Sequence, residues 1–370
     1  MTEKKAWTFM VYIAGDNSLD EAALKDIAEM AKVGSSNDLN IVVQLDRATD
    51  KKTRRFYITQ GGGYKKDVVE TFGETNTGDP ATLQGFILWA MEKYPATRYA
   101  IVIWNHGGGW WDDEERKKRN IAYDDSSGGD AINNQELQEV FNKVCEVRGD
   151  KIDIFGMDAC LMAMIEVVYQ VRDSVKVVVG SEIEEPFNGW PYEQVLQIFK
   201  KSPSLSISSI GKEIVKNYVQ SYKGEGEDVT QSSFNLAKIV DLVGKLDDLS
   251  QALIAGIGDK KVLDAIRTAR DESPKFFSRN YIDLYRFVQL LETKCSDQGI
   301  KAKASDLLKA LKPGSNRVII SQDHLGSNVK DTHGMSIYFP SYDINTKYGD
   351  LDFCRDCRWG EFLGLYISSL

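Results

Sequence analysis

The chain has 370 residues, 46 Lys and Arg against 55 Asp and Glu, and a formal net charge of -9 with a pI near 5.1. That length suits two domains or one enlarged domain, and the acidic surplus argues against a nucleic-acid protein, which needs concentrated Lys and Arg to meet phosphates. Basic or neutral partners fit the balance better, and an acidic surface also serves solubility.

The first run, WTFMVYIA, is apolar for about eight residues before Gly15, Asp16 and Asn17 interrupt it, so it reads as a strand and is too short to span a membrane. No leader with a small-residue cleavage site is visible, so the expectation is a cytoplasmic chain as given, or a secreted one whose leader has been removed. LDEAALKDIAEMAKV is amphipathic, and NIVVQLD and RRFYITQ are short β-rich runs. This is βαβ grammar: short apolar runs without clean alternation predict strands buried on both faces, in a largely parallel sheet covered by helices. Asp79 and Pro80 predict a helix from that point through Ala90, with the Asp side chain capping free N–H groups and Pro in the first turn.

Tyr99 to Trp104 make another buried strand, with His106 just past its carboxyl end. After HGGGWW the stretch DDEERKKRN is too charged to bury and predicts an exposed loop, open to proteolysis. IAYDDSSGGDAINNQELQEVFNKV predicts a short strand, a turn and a helix. Ile152 to Phe155 then form a strand that passes through a tight turn at Gly156 into a helix whose first residues include Cys160, and VKVVVGSE follows as a strand. Beyond residue 200 the pattern is mainly helical, with two late strands, NRVIISQ and GMSIYFP, that return to the core. The predicted division is a core over residues 1–235 and a mainly helical subdomain over 236–370 whose last strands rejoin it.

Five cysteines, at 145, 160, 295, 354 and 357, are too few and too scattered for a disulfide framework, so reduced thiols are expected. Cys354 and Cys357 form a CxxC, but with three histidines in the chain and no second CxxC a structural zinc site lacks ligands. The sequence itself requires no metal or cofactor.

Two apolar strands each end in a reactive residue, IVIWNHG at His106 and DIFGMDAC at Cys160. Parallel strands present their carboxyl ends on one edge, the edge at which open α/β sheets bind ligands. A thiol becomes a good nucleophile once ionised, and a helix N-terminus with an imidazole nearby favours the thiolate. His106 can take the thiol proton and later protonate a leaving amine. Gly107 and Gly108 let a carbonyl approach, and a backbone N–H there, with that of Cys160, can hold an oxyanion. Taken singly, a buried cysteine is packing and a histidine beside glycines is a turn residue; together, with the histidine 54 residues upstream of the cysteine, they match the spacing of about 50 seen in caspases, although the caspase QAC signature is here MDAC.

These residues resemble the clostripain family of cysteine peptidases, relatives of gingipains, legumains and caspases. Beside the two strand tips, the resemblance is carried by MVYIAGDNSLD, TGDPATLQGFILWAMEKYPATRYAIVIWNHGGGW, YDDSSGGD, SEIEEPFNGWPY and HGMSIYFP, nearly end to end. It implies a caspase-like three-layer α/β sandwich with a mostly parallel central sheet flanked by helices. It also implies an endopeptidase with Cys160 and His106 as its dyad, the backbone of Gly107 and Cys160 as oxyanion donors, and self-cleavage in the charged loop at Lys117, Lys118 or Arg119. Its substrates would be proteins or peptides cut after Arg or Lys, bound through Asp158, two positions before the nucleophile, and through Ser181, Asn188 and Trp190 after it; Asp158 capping the next helix is the structural alternative. Asn188 stands where relatives often carry a second acid, which leaves open compensation by Glu182, Glu184 or Glu185, a non-basic specificity, or a silent peptide-binding relative. Calcium, which assists some relatives, is a candidate cofactor without an assigned site, since DDSSGGDAINNQE fits EF-hand spacing poorly. The expected partners are a peptide substrate in a monomeric enzyme, with no nucleic acid and no membrane.

Overall fold

The computed structural model describes residues 4–111, 120–276 and 279–370. Its strands are β1 (Lys5–Gly15), β2 (Leu39–Arg47), β3 (Lys52–Tyr57), β4 (Val68–Thr71), β5 (Ala96–Trp104), β6 (Ile121–Asp124), β7 (Asp130–Ile132), β8 (Ile152–Asp158), β9 (Val175–Gly180), β10 (Val229–Asn235), β11 (Lys275–Phe276), β12 (Tyr281–Asp283), β13 (Ile319–Leu325) and β14 (Ser336–Tyr338). Nine of them form one sheet in the order β13-β10-β9-β8-β5-β1-β2-β3-β4. The five in the middle, β9-β8-β5-β1-β2, run parallel, and antiparallel strands close both flanks.

The alternation within β1 shows why the sheet takes helices on both faces. Met10, Tyr12 and Ala14 belong to one apolar cluster, while Trp7, Phe9, Val11 and Ile13 belong to the other. The second cluster is completed by helices α1 (Asp20–Val33), α5 (Tyr192–Lys201) and α6 (Ile207–Ser221), and the first by α2 (Pro80–Lys93), α3 (Asn134–Arg148), α4 (Ile165–Gln170), α7 (Ile239–Gly256), α8 (Lys260–Glu272), α9 (Leu284–Lys294), α10 (Gln298–Leu311), α11 (Asp352–Asp356) and α12 (Trp359–Ser368). The result is a three-layer α/β sandwich with a mostly parallel central sheet. Asp79 caps α2, accepting from the Ala81 N–H at 2.8 Å. Among the described residues no helix is long and apolar enough to cross a membrane.

The chain after residue 235 shares this core: the first cluster runs from Met10 to Tyr366. β13 pairs with β10 at the sheet edge, while β14 joins β12 and β11 in a separate three-stranded sheet. A bridge between Met164 and Ser336 ties that small sheet to the segment after β8.

Candidate active site

Register brings the two strand tips together. Trp104 of β5 lies opposite Asp158 of β8, so His106 and Cys160 each stand two residues beyond the same pair, on the edge where parallel strands end. Asn105 fixes the first tip: its backbone N–H donates to the Asp158 carbonyl at 3.2 Å, and its side chain donates to the Ala14 and Tyr123 carbonyls and accepts from the Tyr123 N–H at 2.9 Å. At Gly107 the chains nearly touch. A Cβ there would lie 2.3 Å from the Cys160 carbonyl oxygen and 2.9 Å from its nitrogen, so only glycine fits.

The second tip departs from the sequence-based expectation. Gly156 lies inside β8 rather than in a turn, its bare Cα covered by the Trp190 ring, which a Cβ would meet at 2.7 Å. Cys160 sits in a turn, and the next helix, α4, begins only at Ile165. Four residues lie between Cys160 and that short helix, and the dipole of a helix end fades within a turn, so the thiol is not at a helix N-terminus. The turn is instead anchored by neighbours: the Leu161 N–H donates to the Ile183 carbonyl at 3.0 Å and the Ala163 N–H to the Ser181 carbonyl at 2.8 Å. Leu161 is held at φ +67°, a left-handed conformation that costs a non-glycine residue about 1–2 kcal/mol. The Glu185 N–H points at Cys160 Sγ at 3.3 Å, a contact that favours a thiolate.

A cavity of about 180 Å³ opens between the tips, lined by His106, Cys160, Asp158, Glu185, Phe187 and Gly189, among others. Of its two acids Asp158 is buried and Glu185 half-buried, with Oε2 of Glu185 closed off from solvent. Asp158, 5% exposed, accepts from the Trp190 N–H at 3.2 Å and the Tyr192 hydroxyl at 2.8 Å, so it does not cap α4. Burial pushes its carboxyl up to about 6, against hydrogen bonds from Glu185 and Tyr192 that pull it down. Burial and the neighbouring Asp158 charge also raise Glu185 well above the usual carboxylate range, so the two carboxyls hold a proton between them near neutrality. Behind them Asp26 accepts from Trp104 Nε1 at 2.8 Å and is pushed up to about 9, chiefly by burial and then by Asp158.

Other residues singled out from sequence stand elsewhere. Ser181 is fully buried, its hydroxyl 2.9 Å from that of Thr230, and Trp190 is 1% exposed in the core beneath the cavity. Asn188 is at the surface, accepting from Lys25 Nζ at 2.7 Å. Glu182 is turned away, taking the Gly334 N–H at 2.6 Å. The Gly108 N–H donates to the Asn120 carbonyl. Lys117, Lys118 and Arg119 lie outside the described residues. Sequence reasoning missed Ser18, whose hydroxyl lies 3.0 Å from His106 Nε2; the polar break after the first strand was its only trace.

Comparison with known proteins agrees with this geometry. The model of the peptidase C11 clostripain family matches residues 11–364. Clostripain of Hathewaya histolytica is 28% identical over 190 residues, 45% of this chain and 36% of that protein, so the matched stretch spans about a third of the curated relative. Among solved structures, a secreted C11 cysteine protease from Bacteroides thetaiotaomicron in complex with an irreversible peptide inhibitor superposes at a TM-score of 0.74, with 22% identity over 96% of this chain and 99% of its own. An inactive zymogen of a C11 protease from Parabacteroides distasonis gives 0.73, with 20% identity over the same shares. With one family pattern running through both strand tips and on into the last helix, the chain belongs to the clostripain family of cysteine peptidases.

Proposed function

We propose that the protein is an endopeptidase that cleaves after Arg or Lys, with Cys160 as nucleophile and His106 as general base and acid. The observation that carries this reading is the shared cavity: the thiol and the imidazole stand on paired strand tips above the carboxyls of Asp158 and Glu185. We assign the thiol proton to His106 Nδ1, since Ser18 Oγ occupies Nε2; neutral His106 then carries its proton on Nε2 and donates it to Ser18. The sulfur attacks the scissile carbonyl, and the backbone N–H groups of Gly107 and Cys160 take the developing oxyanion. As the C–N bond breaks, the imidazolium protonates the leaving amine. Water, deprotonated by His106, then attacks the thioester and releases the acid product and the thiol.

Preference for a basic residue rests on Asp158 and Glu185, which between them present a negative charge to a guanidinium entering a dry pocket. Glu185 supplies the second acid that Asn188 does not. Maturation by self-cleavage after Lys117, Lys118 or Arg119 belongs to the same reading, and intact-mass analysis of incubated protein should show two fragments where Cys160→Ala shows one. The deciding assay uses a fluorogenic arginyl amide: Cys160→Ala and His106→Ala should each lose at least about 1000-fold in kcat/KM. Undiminished turnover in either variant removes that residue from its role, and a peptide-library profile without Lys or Arg enrichment refutes the specificity.

A further inference from the structure

The turn after β9 leaves an aromatic ring uncovered at the catalytic cavity. Phe187 lines that cavity together with Asp158 and Glu185, yet it is 62% exposed. Every other described phenylalanine is buried except Phe72, and the Arg55 guanidinium covers the Phe72 ring at 5.0 Å. Leaving a phenyl ring in water forgoes the burial that makes aromatic residues valuable. The ring is also held in place. The Gly189 N–H donates to the Pro186 carbonyl at 2.9 Å and closes the turn around Phe187 and Asn188, with Gly189 at φ +55°. Lys25 Nζ ties Asn188 to α1 at 2.7 Å, the Tyr222 hydroxyl donates to the Gly189 carbonyl at 2.8 Å, and the Trp190 N–H donates to Asp158. Anchors on both sides therefore fix Phe187 beside the acid pair.

We propose that Phe187 selects arginine over lysine as the residue before the scissile bond, its ring stacking on the guanidinium face while Asp158 and Glu185 take the N–H donors at the edge. The inference rests on the proposed cleavage after basic residues and narrows it. A guanidinium is planar and weakly hydrated, and its five N–H donors lie in its plane, so carboxylates at its edge leave both faces free for an aromatic ring. An ammonium is a compact, strongly hydrated charge without a flat face, and it gains less from the same ring. The two acids attract either cation by charge, whereas the ring separates them by shape and hydration. Arg55 over Phe72 shows the same pairing made within the chain.

The test compares arginyl and lysyl fluorogenic amides that are identical at every other position. The parent enzyme should have the higher kcat/KM for the arginyl amide. Phe187→Leu, which keeps apolar bulk without a ring, should lower the arginyl-to-lysyl ratio of kcat/KM at least about threefold, and Phe187→Tyr, which restores a ring, should bring the ratio back close to the parent's. Both amides are then repeated with glycine and with leucine preceding the basic residue. Turnover of neither amide by the parent defeats the basic-residue reading, and this inference with it. With a parent active on both, a preference for lysine, an unchanged ratio in Phe187→Leu, or a loss that follows the glycine-to-leucine exchange instead of the basic residue overturns the role of Phe187 and leaves cleavage after basic residues standing.

Discussion

In the proposed mechanism Ser18 and Glu185 are neighbours of the dyad: Ser18 Oγ lies 3.0 Å from His106 Nε2, and the Glu185 N–H lies 3.3 Å from Cys160 Sγ. If the Ser18 hydroxyl orients the imidazole as the proposed mechanism requires, Ser18→Ala should lower kcat about tenfold with little change in KM and shift the acid limb of the kcat profile. An unchanged profile would reduce Ser18 to a surface hydroxyl. Glu185 offers its N–H to sulfur and its carboxyl to the pocket. Glu185→Gln retains the backbone contact and removes half the acid pair, and should cut kcat/KM for arginyl substrates about 10- to 100-fold while sparing substrates with uncharged residues. The pH dependence has a definite sign. Asp158 is raised, chiefly by burial, to about 6, so its charge is present above that value and lost below it. Arginyl kcat/KM should therefore fall as pH drops through about 6, apart from the histidine's own titration, and the fall should be shallower for an uncharged substrate.

At the scale of elements, the site depends on close passage of two turns rather than on a helix end. Sequence periodicity read MDACLMAMIEVVYQV as one helix because its apolar residues are dense, and dense apolarity does not distinguish a buried turn from a helix. The structure shows Cys160 on a turn anchored to the ends of β9 and β14, with Leu161 left-handed. The Gly107 backbone lies against this turn with no room for a methyl group. Gly107→Ala should thus force His106 and Cys160 apart, abolishing activity while lowering Tm by only a few degrees; near-normal turnover in a purified Gly107→Ala protein would contradict the contact. Gly189 is constrained in a related way, at φ +55° with Asp158 Oδ1 2.9 Å from where a Cβ would stand.

At the scale of the whole molecule, the C-terminal third reaches into the catalytic edge. The Tyr281 hydroxyl donates to the Gly108 carbonyl, the His333 N–H donates to Asp283, and the Gly334 N–H donates to Glu182. Glu166, at the start of α4, is wholly buried and accepts from the Tyr338 N–H and the Tyr348 hydroxyl, tying β14 and the segment after it to α4. Burial raises it from 4.5 to about 7. A carboxyl that holds its proton more tightly when folded adds stability at low pH, which is lost as pH rises from the unfolded value toward the folded one. From pH 4.5 to 7 this group alone should remove about 3 kcal/mol, and Glu166→Gln, which cannot ionise, should flatten that decline in denaturant titrations at each pH.

The local grammar of the chain was enough to determine the buried parallel strands, the Asp79 cap, and the placing of His106 and Cys160 at strand ends on one edge, because strand burial and capping are encoded within a few neighbouring residues. Fold class and family were legible for the same reason, through ordered blocks at the strand tips. Tertiary structure alone decided which acid beside Cys160 faces the cavity: Glu182, Glu184 and Glu185 are equivalent as letters, and only the path of the turn after β9 places Glu185 there and sends Glu182 to Gly334. It alone brought Ser18 to His106 across 88 residues and set Phe187 at the cavity that Asp158 lines. Contacts of this kind depend on which strands neighbour one another and on how their loops turn, and no local pattern of residues carries that information.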